Sequence, residues 1–416
     1  MEELKAGWRR VRLGDVIESI SDTTKIIEDE VVLINTSDVY DGKVLNHQLV
    51  ENKGLKGQFK KRFKYGDILY SEIRPINRRF AKIKFDSTNY LASTKLMILR
   101  KKENALIDEE YIYQLLKSDK IISELQQIAE SRSGTFPQIT FNELKTLEFF
   151  LPSLETQKKI TSILSSLDEK IELNRKINQN LEETAQTLFK RWFIDFEFPN
   201  EEGKPYKSSG GKMIESELGE IPEGWTIEKL ENIIKIIDNR GKTPPFVLNK
   251  TNYPIIDVKS LSNENRIIDF NNCSKYITKE TYDTWFRNGH PEKLDILIST
   301  VGSLAELKIF IENKGCIAQN IVAFRNLEYP LYLYQYLKYI KKELITYNIG
   351  SVQPSIKITH IIKYPIIIPE INIAKNFNEK MIFLTEKIYN NQKEIEKLIE
   401  LRDYLLPRLM SGEISV

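Results

Sequence analysis

The chain has 416 residues, 41% hydrophobic and 29% charged, and its 61 basic and 59 acidic residues nearly cancel to a net charge of +2. That length suits two domains of roughly 150 residues with connecting structure better than it suits one core. The apolar runs fall far short of the roughly 20 residues of a membrane span, the acidic start Met1-Glu2-Glu3 does not read as a signal peptide, and two cysteines, Cys273 and Cys316, make no disulfide framework, so a cytoplasmic protein is expected.

In chain order, Gly7-Trp8 opens a segment running Arg12-Leu13-Gly14-Asp15-Val16-Ile17. Apolar stretches at 31–34, 68–71 and 96–99, punctuated by Gly, Asn and Pro, predict short strands. Between them the charge is one-sided: Lys56, Lys60, Lys61, Arg62, Lys64, Arg74, Arg78, Arg79, Lys82 and Lys84 are opposed only by Asp67 and Glu72. A surplus of this kind suits a polyanion even in a nearly neutral chain, although a solvated face would carry it too. Residues 109–125 read as a helix, and Ser133-Gly134-Thr135-Phe136-Pro137-Gln138 as a loop. Residues 154–198 then run without Gly or Pro.

The second part repeats this order. Gly224-Trp225 opens it, strands are predicted at 255–258, 296–299 and 321–324, a helix at 331–345, and a loop at Gly350-Ser351-Val352-Gln353-Pro354-Ser355. Residues 371–406 close it, again free of Gly and Pro. Trp8 and Trp225 lie 217 positions apart, as do Leu151-Pro152 and Ile368-Pro369. Leu167, Glu169, Lys170, Ile171 and Asn174 match Leu384, Glu386, Lys387, Ile388 and Asn391 at that same offset of 217, and Leu188 and Arg191 match Leu405 and Arg408. Inside each half the offset drifts: Gly66-Asp67-Ile68-Leu69-Tyr70-Ser71 pairs best with Leu294-Asp295-Ile296-Leu297-Ile298-Ser299. One offset recurring in separated places marks a tandem repeat.

The two closing segments carry steps of four and three. Ile160, Leu164, Leu167, Ile171, Asn174, Asn178, Leu181, Ala185 and Leu188 form one series; Phe377, Met381, Leu384, Ile388, Asn391, Ile395, Leu398, Arg402 and Leu405 form the other. A 3.5-residue repeat of this length is a coiled-coil seam. Asn174 and Asn391 stand at the middle of their series, so antiparallel helices are expected to bring them together as a register-fixing pair. About 40 residues of helix span roughly 60 Å, which suits a ruler.

Catalytic machinery is not legible. His47, His290 and His360 are scattered singly, and neither cysteine has a second Cys or His at metal-ligand spacing. Gly241-Lys242-Thr243 resembles the end of a phosphate-binding loop, but Ile236 stands where its first Gly is required. Thr243-Pro244-Pro245-Phe246 resembles an amino-methyltransferase signature without the amide or acid that holds the target amine. No catalytic or metal-ligating residue is assigned.

A longer resemblance covers the whole chain. Leu188-Phe189-Lys190-Arg191-Trp192-Phe193-Ile194-Asp195-Phe196-Glu197-Phe198 leads into Gly203-Lys204-Pro205-Tyr206-Lys207-Ser208-Ser209-Gly210-Gly211 and on to Glu217-Leu218-Gly219-Glu220-Ile221-Pro222-Glu223-Gly224-Trp225. This run resembles the junction between halves in specificity subunits of type I restriction–modification systems. The ending Leu405-Leu406-Pro407-Arg408-Leu409-Met410-Ser411-Gly412-Glu413-Ile414 resembles their C-terminus, and Arg240-Gly241-Lys242-Thr243-Pro244-Pro245 a common opening of their second recognition domain. The resemblance implies an α+β fold: two globular α/β target-recognition domains separated by two long antiparallel helices forming a coiled coil, with an internal pseudo-twofold repeat. The expected division is 1–152 and 224–369 for the recognition domains, 153–198 and 370–416 for the helices and tail, and 199–223 for a linker. It implies a subunit without catalytic activity that reads a bipartite site in double-stranded DNA. Its implied partners are two modification (methyltransferase) subunits, which methylate adenine, and restriction subunits that translocate DNA. S-adenosylmethionine, ATP and Mg2+ belong to those partners, and this chain is expected to hold no cofactor.

The DNA-contact candidates rest on chemistry and position. Arginine suits bidentate bonding to guanine, lysine suits phosphate, and amides and hydroxyls suit either groove partner. They are Ser71, Arg74, Arg78, Arg79 and Gln138 in the first half, and Arg240, Lys242, Ser299, Ser303, Gln319, Asn320, Gln353 and Ser355 in the second. The competing classes are a self-contained DNA-modifying enzyme or nuclease with a cryptic site, and a coiled-coil adaptor that binds only proteins.

Overall fold

The computed structural model describes residues 7–55, 57–132, 135–262, 265–312, 314–317, 319–350 and 352–416. Lys56 of the basic run and Ser133, Gly134 and Ser351 of the two loops therefore lie outside the described residues. The chain divides into two compact units, Met1–Ile171 with Glu396–Val416, and Glu172–Ile395. Each unit contains one copy of the repeated module and part of both long helices.

In the first unit, strand Arg9–Arg12 pairs antiparallel with Glu148–Leu151, so the module begins and ends side by side. Its central sheet is fully antiparallel, in the order Ile17–Ile20, Leu96–Lys101, Ile68–Ser71, Phe80–Lys82. Successive side chains of a strand point to opposite faces. Ile68 and Tyr70 enter one core with helix Glu109–Leu116, while Leu69 enters another with Val32, Ile34 and Ala92 of a second sheet. Both faces are covered, which is why Ile68–Ser71 reads as unbroken apolar sequence instead of alternating. The second sheet runs Leu49–Glu51, Glu30–Ile34, Tyr90–Ser93, Phe59–Lys61, with one parallel pair in its middle.

The second unit repeats the plan with different lengths. Thr226–Lys229 pairs with Pro365–Ile368, and the central sheet runs Lys235–Ile237, Ile321–Arg325, Ile296–Ser299, Leu307–Ile309. Ile296 and Ile298 face one core and Leu297 the other. A parallel pair, Ile255–Ile256 with Cys316–Ile317, replaces the larger second sheet. Single bonds repeat as well. Arg100 grips buried Asp67 through two bonds of 2.7 Å, and Arg325 grips buried Asp295 at 2.9 and 2.8 Å. The Tyr111 hydroxyl donates to the Phe150 carbonyl, as the Tyr332 hydroxyl does to that of Ile367.

Some boundaries differ from the sequence reading. The helix expected over 109–125 is two helices, Glu109–Leu116 and Asp119–Arg132, because the chain breaks at Lys117-Ser118 and Ser118 serves the next turn with its hydroxyl. Its counterpart is likewise split into Pro330–Tyr339 and Lys341–Thr346. The strand expected at 255–258 ends at Ile256, where Asp257 caps a 3-10 turn through the Ser260 amide.

The long helices are Leu154–Phe193 and Ile371–Met410, 40 residues each. Within each unit they run antiparallel: Arg402 bonds Asp168 at 3.1 Å in the first, and Asn391 bonds Asn178 at 2.8 Å in the second. The expected pairing of Asn174 with Asn391 is therefore corrected. Asn391 donates to the Asn178 amide oxygen, while Asn174 donates to Glu394 at 2.9 Å. With Asn391 opposite Asn178 and a 217-residue repeat, the symmetric point of the pairing falls at positions 176 and 393. Asn174 and Asn391 stand two residues short of it, so each meets a residue about one turn beyond its repeat-mate.

Candidate nucleic-acid interface

Strand Ile68–Ser71 ends in a loop whose shape is fixed from below. The Ser71 hydroxyl accepts from the Ile73 amide at 3.0 Å, and the Ser71 amide donates to the Arg79 carbonyl at 2.9 Å, closing the loop at its base. Between them Arg74 and Arg78 are left-handed, with φ of 43° and 54°, and flank the 3-10 turn Pro75–Asn77. Each such residue costs on the order of 1–3 kcal/mol, so the surroundings must hold it. Arg78 supplies much of that hold itself: its guanidinium bonds Asp41 at 3.0 Å, Asp119 at 2.6 Å and the Lys117 carbonyl at 3.4 Å. A second strand of backbone docks alongside, the Arg74 amide donating to the Pro137 carbonyl and the Ile139 amide to that of Glu72.

The second unit builds the same frame. The Ser299 hydroxyl accepts from the Glu306 amide at 2.8 Å and donates to the Ser303 carbonyl at 2.5 Å. The Gly302 amide donates to the Pro354 carbonyl and the Ile356 amide to that of Thr300. Gly302 and Ala305 are left-handed where Arg74 and Arg78 are, with φ of 84° and 54°. The strand and the start of the loop correspond at an offset of 228 (Ser71 to Ser299, Arg74 to Gly302) and the end of the loop at 227 (Arg78 to Ala305), while the docked segment corresponds at 217 (Pro137 to Pro354). The drift seen in the sequence is thus an eleven-residue insertion ahead of the strand, recovered before the docked segment.

The candidates sort accordingly. In the first unit Arg74 is exposed, its guanidinium bonding, among the described residues, the Thr135 carbonyl at 3.5 Å, and Arg79 is half-buried. Gln138 bridges to Ile73 through its backbone and takes a bond from Lys95 at 2.9 Å, adding a cation the sequence reading passed over. In the second unit Lys242, Ser303, Gln319 and Gln353 are exposed. Gln319 bonds Thr243 at 2.5 Å, and the Asn320 carbonyl accepts from Thr300, so these residues share one face with the loop after Ser299. Ser355 pairs with Val301 across the same frame. Arg240 is held by Asp238 at 2.9 and 2.6 Å and reaches Thr300 at 3.4 Å. Burial pushes the Asp238 carboxyl up, but the bonds from Arg240 outweigh it and hold the group below its ordinary range.

Ser71 and Ser299 are corrections. They are 2% and 0% exposed, so they sit beneath their loops and position them instead of meeting a ligand. Lys61 and Lys82 leave the basic run in the same way, the first bonding the carbonyls of Thr94 and Leu96, the second Glu110 at 3.0 Å.

One cluster has no counterpart in the sequence reading. Arg266, fully buried, forks onto Glu182 of the first long helix at 2.7 and 3.0 Å and bonds Thr385 of the second at 2.8 Å, while Lys338 reaches Glu182 at 3.1 Å. Burial would raise the Glu182 carboxyl, but Arg266 and Lys338 bring it down to about 2. This ion cluster fastens the second module to the helices within its unit. Its partners are 84 residues apart in sequence, so no local pattern announces it.

Comparison with known proteins agrees with the repeat. The model of the type I restriction modification DNA specificity domain matches twice, over residues 5–183 and 222–401. The chain belongs to the type I restriction–modification specificity-subunit family. Among its relatives, the type I restriction enzyme HindI specificity subunit of Haemophilus influenzae is 32% identical over 98% of this chain and 99% of its own. The MjaIX specificity subunit of Methanocaldococcus jannaschii is 34% identical over 74% of this chain and 69% of its own. A crystal structure of a type I restriction–modification S subunit from M. genitalium shares the fold, with a TM-score of 0.54 at 16% identity, covering 99% of this chain and 98% of that one.

Proposed function

We propose that this specificity subunit reads a bipartite site in double-stranded DNA for a type I restriction–modification complex, each module reading one half. The observation that carries this is the paired loop frame: one backbone scaffold occurs twice with different side chains, charged in the first unit and uncharged in the second. A frame of that kind presents different hydrogen-bonding groups to base edges without altering the fold beneath. The exposed candidates Arg74, Lys242, Ser303, Gln319 and Gln353 and the half-buried Arg79, Gln138, Asn320 and Ser355 are the contact residues in this reading, with Arg78, Arg240, Ser71 and Ser299 holding them. The long helices, which run from one unit into the other, set the length of the unread gap and dock two modification subunits. Chemistry resides in those partners and in the restriction subunits, which use S-adenosylmethionine, ATP and Mg2+, and the complex works in the cytoplasm. Among the described residues no helix is long and apolar enough to cross a membrane.

The test is an exchange. Replacing residues 226–367 with the same region of a relative, and sequencing the methylated sites of a host carrying the full system, is expected to change one half of the site and leave the other. A site changed in both halves, or in neither, overturns the reading.

A further inference from the structure

The repeat offers an internal control for the side chains of the reading loop. Arg74 and Gly302 occupy the same place in the frame, each left-handed and each donating its amide to a docked proline carbonyl. Glycine takes that conformation freely, whereas any residue with a Cβ is strained there. The repeat makes the opposite exchange at an earlier turn, where Gly66 (φ 90°) corresponds to Leu294 (φ 73°). Leu294 packs against the core of its unit, so burial offsets its strain. Among the described residues Arg74 shows no such offset: its side chain is exposed and its guanidinium bonds the Thr135 carbonyl at 3.5 Å.

Two exposed apolar side chains, Ile76 and Phe136, belong to the same loop and its docked segment. Ile76, 55% exposed, is pinned by its amide to Gln126 of helix Asp119–Arg132. Phe136, 50% exposed, lies between Thr135 and Pro137, whose carbonyls take the two bonds of Arg74. Lys95 stands against Gln138 at 2.9 Å and Glu72 at 3.5 Å. A guanidinium and exposed apolar groups carried by one loop frame match a particular chemistry of the major groove: guanine offers two acceptors to an arginine fork, and thymine offers a methyl group to apolar contact.

We propose that Arg74 is a specificity-determining residue that reads a guanine in one half-site, and that Ile76 and Phe136 pack on the methyl of an adjacent thymine. This rests on the DNA-reading function proposed above. The second module, with Gly302 at the same place, reads its half-site without a cation there.

The test selects duplexes from a library with two randomised windows at several spacings, using the full chain in its assembled complex. The wild type is compared with Arg74→Gly, Arg74→Lys and the double variant Ile76→Ser/Phe136→Ser. The wild type is expected to return two sequence blocks, one containing a guanine beside a thymine. Arg74→Gly is expected to lose the guanine preference, to bind the wild-type site roughly 10- to 100-fold more weakly, and to keep the other block intact. Its thermal midpoint is expected to hold or rise, since glycine relieves the left-handed strain. Arg74→Lys is expected to weaken the guanine preference, because a single ammonium cannot fork. The double serine variant is expected to lose only the thymine. Retention of the guanine by Arg74→Gly, or a lowered midpoint in that variant, overturns the proposal while the DNA-reading function stands. A wild type that selects no sequence overturns the function itself.

Discussion

At the scale of single residues, the reading loops depend on two hydroxyls that never reach the surface. Ser71 and Ser299 each hold backbone groups at the base of a loop that the strand alone would not close. Removing one leaves buried backbone partners unsatisfied, at a cost of about 1–3 kcal/mol. Ser71→Ala is accordingly expected to lower stability by that order, measured by urea unfolding, and to reduce discrimination in the first half-site while the second is unchanged. Equal loss in both halves would mean that the loop frame does not act locally. Chemistry suggested these serines from the sequence, and burial changed their role. Arg78 moved in the same direction, since three oxygen partners occupy a guanidinium that residue type alone would assign to DNA.

At the scale of elements, strands and long helices were legible because periodicity is local, and the two-faced strands announced themselves as unbroken apolar runs. The partners across the helix seam were not. Position within a heptad series places Asn174 and Asn391 at mid-helix, but the facing residue depends on an axial shift that only the opposing surface decides, and the shift is about one turn. The Arg266–Glu182–Lys338 cluster was equally hidden, since a buried ion pair has no period. It carries a pH signature. The Glu182 carboxyl lies at about 2 in the fold against 4.5 ordinarily, so its contribution is fully present above 4.5 and is lost as pH falls toward 2. The wild type is expected to be more stable than Glu182→Gln at neutral pH, where that variant leaves Arg266 buried without its counter-charge. The difference in urea midpoint should shrink steadily from pH 4.5 downward. A difference independent of pH over that range would remove the ion cluster as its source.

At the scale of the whole molecule, the repeat was the most legible feature and the insertion inside it the least. The constant offset of 217 belongs to the paired end strands, the docked segments and the helices, and the departure to 228 begins in the segment ahead of the central strand and carries through that strand into its loop. The physical reason is that helix length and end pairing are constrained by what they contact, whereas surface segments accept length changes at little cost. The helices provide the corresponding test. Inserting one heptad into each lengthens them by about 10 Å, or about three base pairs of DNA at 3.4 Å each. The gap between recognised half-sites, read by methylation sequencing, is expected to widen by that amount, and an unchanged gap would mean the helices do not measure it.

The end pairing has a further consequence for how such a protein changes over generations. Arg9 lies opposite Leu151 and Thr226 opposite Ile368, so the two points where each module joins the rest of the chain are neighbours in space. The covalent connections of each module to the rest of the chain therefore lie side by side, while its core also packs on the long helices. A genetic crossover pair placed at that seam is expected to import a foreign module with its ends already adjacent, provided its helix-facing side chains fit the resident helices.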